Sequence, residues 1–106
     1  MQRIESFEEW ITATESNENL LLFVETDNCS VCHGLFPQVD ALKDDYTIPF
    51  YIVNAAAVPE MAGQLSLFSA PVVILYSHEK EYARFARFVP MEELKYRLNE
   101  LSTGGE

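Results

Sequence analysis

Leu20-Leu21-Leu22-Phe23-Val24 is apolar at every position. In a strand, successive side chains point to opposite faces. A run with no polar alternate must therefore be covered on both sides. Such a strand belongs near the middle of a parallel or mixed sheet with helices above and below. Polar Ser16-Asn17-Glu18-Asn19 precedes the run, and Thr26-Asp27-Asn28 ends it.

The rest of the chain supplies the layers this strand requires. Ser6 and Glu9 have the spacing of a capping box, so a first helix starts near Ser6. Phe7, Trp10, Ile11 and Thr14 line one of its faces. Ahead of it, Arg3-Ile4-Glu5 can form a very short leading strand. After the apolar run, Cys32, Leu35, Phe36, Val39 and Leu42 recur at helical spacing. Pro37 falls inside that helix and removes a backbone donor, which predicts a kink. Phe50 to Val53 reads as a second strand. Pro59 suits the first turn of a third helix with Met61, Ala62 and Leu65 inward. Val72 to Tyr76 is a third strand, Ser77 to Lys80 a turn, and Glu81 to Phe88 a fourth strand in an antiparallel hairpin. Pro90 opens a last helix with Met91, Leu94, Leu98 and Leu101 on one face. This order predicts an α/β fold, a central mixed sheet of four or five strands with helices on both faces and right-handed crossovers. Strand 20–24 is expected at the centre, with 50–53 and 72–76 beside it and the hairpin strand at the edge.

A chain of 106 residues, 48% of them hydrophobic, makes one domain. That domain is placed at 1–101, followed by a flexible tail at 102–106 whose glycines can cap the last helix. Seventeen acidic residues against seven basic ones give a formal net charge of −10. That charge repels phosphate backbones and anionic lipid, which excludes nucleic-acid and membrane partners and favours a dispersed monomer. No apolar run is long enough to span a bilayer, and Met1 to Glu5 lacks an export signal's apolar stretch. A cytoplasmic location is expected.

The chain has two cysteines, Cys29 and Cys32, set as Cys-Ser-Val-Cys between the buried strand and a helix start. At this spacing both thiols reach each other across the first turn. Free N–H groups and the partial positive charge of the helix end favour a thiolate at Cys29. Sites of this kind lower a thiol from about 8.5 to roughly 3.5–7.5. Cys29 would attack a substrate disulfide, and the more buried Cys32 would resolve the mixed disulfide.

Other readings of the motif carry less. As a staple, a disulfide closing so small a loop contributes only about 2 kcal/mol. Two cysteines without a role would not explain their place after a strand in an α/β pattern. Cys29 to His33 also matches the C-x-x-C-H haem attachment motif, yet that motif needs export and room for a porphyrin. Zinc held by Cys29, Cys32, His33 and His78 would need adjacent ligands at 32 and 33, an unusual spacing. His33 is better read as a helix residue that modestly tunes the thiols. The chain calls for no cofactor, and no acid pair, phosphate loop or serine triad is visible.

The chain resembles the thioredoxin family from roughly Ser6 to Leu101. The resemblance rests on C-x-x-C after a strand, Pro37 five residues past Cys32, and Ala70-Pro71 ahead of a strand. It implies that Pro71 is cis and lies against the cysteines, and that the Ala70 backbone pairs with an extended substrate segment. It further implies disulfide-containing protein substrates, redox homeostasis as the setting, and re-reduction by a flavin thioredoxin reductase or a low-molecular-weight thiol. Four positions depart from the family: Asn28 replaces a tryptophan, Ser30-Val31 replaces Gly-Pro, Phe23 replaces a buried aspartate, and Val89 or Pro90 replaces a glycine. Glu25, two residues beyond Phe23 on the same strand face, is the candidate substitute proton acceptor. The alternative from another class is a non-catalytic binding module of the same fold, with C-x-x-C as a redox sensor.

Overall fold

A computed structural model describes residues 1–103. The elements are β1 (Gln2–Ile4), α1 (Phe7–Ser16), β2 (Asn19–Glu25), α2 (Ser30–Asp40), β3 (Phe50–Asn54), α3 (Pro59–Leu65), β4 (Val72–Ser77), β5 (Lys80–Ala86) and α4 (Met91–Thr103). A 3₁₀ turn over Ala41–Asp45 tightens the end of α2. The sheet has five strands in the order β1-β3-β2-β4-β5. β3 runs parallel to β1 and β2, while β4 runs antiparallel to β2 and β5. The central position of β2 follows from its sequence: every residue from Leu20 to Val24 is at most 1% exposed. Leu20, Leu22 and Val24 pack with Trp10 of α1 and Met61 of α3. Leu21 and Phe23 pack with Val39 of α2 and Leu94 and Leu98 of α4. Each such side chain contributes roughly 1.5–3 kcal/mol of transfer free energy.

Local chemistry sets the element ends. Ser6 Oγ accepts the Glu9 N–H at 3.1 Å, and the Glu9 carboxylate accepts the Glu5 N–H at 3.0 Å, one residue earlier than a standard box. On α1 the buried stripe is Trp10, Ala13 and Thr14, while Ile11 lies 40% exposed at its edge. The leading strand sits one residue earlier than the sequence suggested. The hairpin strand is also displaced. Its turn is only His78-Glu79, with φ of 53° and 65°, the left-handed pair that a two-residue hairpin requires. It ends at Ala86 and not Phe88, because Arg87 turns left-handed at φ 68°. At the C-terminus, α4 continues through Ser102 and Thr103, whose hydroxyls donate to the Leu98 and Asn99 carbonyls at 2.9 and 3.0 Å. Those two residues are therefore helical and not tail, and the proposed glycine cap at 104–105 lies outside the described residues.

One side chain ties the segment before β4 in place. Arg84 of β5 donates to the carbonyls of Leu65 (2.8 Å) and Ser66 (3.2 Å), where α3 ends in a left-handed residue. The carboxylate of Glu81 holds the same guanidinium through bonds of 3.0 and 2.8 Å. Charge-assisted bonds of this type contribute about 1.5–3 kcal/mol when buried, and less when half-exposed as here. Arg84→Ala is expected to lower the unfolding free energy by about 1–2 kcal/mol in urea denaturation. Unchanged stability would show that these bonds do not hold the α3–β4 segment.

Candidate active site

β2 delivers the chain to one end of the sheet, and the site is built there. The Thr26–Asn28 loop is fastened to the end of β3. Asn54 Nδ2 donates to Asp27 Oδ1 at 2.9 Å, and the Ala55 N–H donates to the Glu25 carbonyl at 2.9 Å. Asn28 then takes a left-handed backbone, φ 56°. Asparagine tolerates that conformation better than most residues, which accounts for its place immediately before Cys29.

Cys29 is the N-cap of α2, and its Sγ accepts the backbone N–H of Cys32 at 3.2 Å. The two cysteines form a disulfide with a Cα–Cα distance of 5.2 Å. Cys29 is half-buried, Ser30 and Val31 are exposed, and Cys32 is 1% exposed. Cys32 is held inward because it shares a helix face with Leu35 and Phe36, both packed on the second core cluster. Beneath them Phe23 meets Phe36 edge-on at 5.6 Å between ring centroids. Val24 of β2 pairs with Val72 of β4, so the Ala70–Pro71 bond, which is cis, lies at the same sheet end as the disulfide.

The remaining expected site residues take distinct places. Glu25 is at the end of β2, and its carboxylate accepts from Arg3 Nη1 at 3.1 Å. His33 is exposed on α2. The four-ligand zinc set does not assemble. His78 lies in the β4–β5 turn, bonded to Glu18, at the far end of a strand about 17 Å long. Cys29 and Cys32 are bonded to each other.

Residues 2–100 match the Thioredoxin family. The chain belongs to the thioredoxin family. It is 36% identical over 78 residues to the thioredoxin-like protein YdfQ of Bacillus subtilis, covering 73% of this chain and 70% of that protein. Its fold superposes on the thioredoxin of Fasciola hepatica with a TM-score of 0.85 at 18% identity, covering 94% of this chain and 98% of that one. For the thioredoxin of Plasmodium falciparum the TM-score is 0.86 at 18% identity, again over 94% and 98%.

Within this thioredoxin-family fold two departures take structural form. Phe23 is fully buried under α2, and among the described residues Thr14 is the single buried polar side chain. Ahead of Val89 and Pro90, which stand in place of the family's glycine in the sequence comparison, Arg87 takes a left-handed backbone, φ 68°. Its N–H donates to the Pro71 carbonyl at 2.6 Å. A non-glycine residue held there costs on the order of 1–2 kcal/mol. Sequence reading missed Arg87 because nothing in Ala86-Arg87-Phe88 signals a left-handed turn.

The Phe23–Phe36 contact carries the placement of α2. Phe23→Ala should cost about 3–5 kcal/mol of stability, measured by chemical denaturation. A loss below 1 kcal/mol would mean that α2 is seated by other contacts.

Proposed function

We propose that this protein is a thiol–disulfide oxidoreductase that reduces or exchanges disulfides of protein substrates, with Cys29 as nucleophile and Cys32 as resolving thiol. The observation that carries this reading is the asymmetry of the pair: two bonded sulfurs at a helix N-terminus, one reachable and one at 1% exposure. In the reduced form, the Cys32 N–H that points at Cys29 Sγ and the helix end both stabilise a Cys29 thiolate. The nearby Glu25 carboxylate is neutralised by Arg3 and opposes this little. The thiolate attacks one substrate sulfur and releases the other as a thiolate. Cys32 then loses its proton, attacks Cys29 Sγ, and releases the second substrate thiolate. Two electrons pass from the dithiol to the substrate, and the Cys29–Cys32 disulfide remains.

The surroundings fit the same sequence of steps. The Ala70 backbone, before cis Pro71, offers an edge for an extended substrate segment. His33, exposed on α2 one residue past Cys32, is the residue read as tuning the thiols. Glu25 accepts from Arg3 at the end of β2, and in this reading the Cys32 proton leaves to solvent. A flavin reductase or a low-molecular-weight thiol would return the dithiol form. This role belongs to redox homeostasis in a reducing compartment such as the cytoplasm, and the charge of −10 suits a monomer. Among the described residues no helix is long and apolar enough to cross a membrane.

Cys32→Ser is expected to accumulate a mixed disulfide through Cys29 with a protein substrate, read by non-reducing electrophoresis. Cys29→Ser should form nearly none. Equal trapping by both variants would refute the assignment. Because no carboxylate or histidine is buried among the described residues, release of the second substrate thiol should quicken about tenfold per pH unit below the Cys32 pKa, following its thiolate fraction. A second step independent of pH in rapid-mixing experiments would mean that a protein base takes that proton.

A further inference from the structure

The disulfide end of the sheet carries an unpaired cation among exposed apolar side chains. Of the seven basic residues, Arg3, Lys43, Arg84, Lys95 and Arg97 form ion pairs with carboxylates. Among the described residues that leaves Lys80 and Arg87. Lys80 lies at the β4–β5 turn, the far end of the sheet. Arg87 is exposed and bonded through its backbone to Pro71. With seventeen acids in the chain, a cation left without one beside the substrate edge calls for a reason. Its left-handed backbone, φ 68°, would suit glycine better, and strain of this kind concentrates where a side chain has work to do. Phe88 follows it at 77% exposure, and Phe68, three residues before Pro71, is 86% exposed. Val31, between the cysteines, is 60% exposed. Exposed aromatic and aliphatic groups on the same end of the sheet as an arginine have the residue types of a binding hot spot.

We propose that Arg87, with exposed Phe68 and Phe88 on the same end of the sheet, selects protein disulfides whose cysteine-bearing segment carries a carboxylate close to the reacting sulfur. The segment lies along the Ala70-Pro71 edge, its apolar residues against the phenylalanines and its acidic residue toward Arg87. The inference rests on the exchange reaction proposed above and names its preferred substrate. The overall charge of −10 repels an acidic partner at a distance, but salt screens charges beyond about 8 Å. At contact Arg87 attracts the carboxylate and Asp27, exposed two residues before Cys29, opposes it, so selection requires the acidic residue to lie on the Arg87 side of the disulfide.

The test uses three peptide disulfides that differ only in the residue beside one cysteine: Asp, Asn or Lys. Each is mixed with the fully reduced protein, and thiol release is followed at near-physiological salt. The wild type is expected to react about tenfold faster with the Asp peptide than with the Lys peptide. Arg87→Glu should invert that order, and Arg87→Gln should bring the ratio near one. Comparing ratios within each variant removes any general change in thiol reactivity or stability. An Asp-to-Lys ratio that is the same in Arg87→Glu as in the wild type overturns the proposal, as does a wild-type preference for Lys or Asn. A wild type that reduces none of the three peptides overturns the exchange reaction itself and this selection with it.

Discussion

Burial of β2 on both faces is the constraint from which the rest of the molecule follows. Five consecutive apolar residues cannot face water, so helices must close both sides of the sheet. β3 and β4 flank β2, and α2 must start where β2 ends. That geometry brings the Cys29–Cys32 pair, the Ala70–Pro71 edge and Arg87 to one end of the sheet. The turn with His78 and Glu79 sits at the other.

Two opposed preferences meet under the disulfide. A buried carboxylate at position 23 could take a proton from Cys32, but desolvating an unpaired charge costs several kcal/mol. A buried phenylalanine contributes roughly 1.5–3 kcal/mol and, through Phe36, seats α2. The chain has the packing solution. In the proposed exchange the Cys32 proton then has no carboxylate at position 23 to accept it.

Much of this was legible in the sequence because it rests on local patterns. The apolar run at 20–24 placed β2, Ser6 and Glu9 marked the start of α1, and Pro59 marked α3. The cysteine pair lies between strand and helix as its place in the sequence predicts. What escaped was conformation set by tertiary contacts. Ile11 has the hydrophobicity of a core residue but lies at the edge of the Trp10, Ala13 and Thr14 stripe. The end of β5 depends on Arg87 adopting a left-handed backbone that its residue type does not announce. The Arg3 partner of Glu25 comes from a strand two places away in the sheet, which strand alternation does not reveal.

The claim that this thioredoxin-family chain transfers electrons through Cys29 and Cys32 is tested most directly by insulin reduction with dithiothreitol as electron donor. The account predicts that catalytic amounts of the wild type shorten the lag before the freed insulin chains precipitate, and that Cys29→Ser leaves the lag at the value without protein. A folded wild type that leaves the lag unchanged, or a Cys29→Ser variant that shortens it equally, would contradict it.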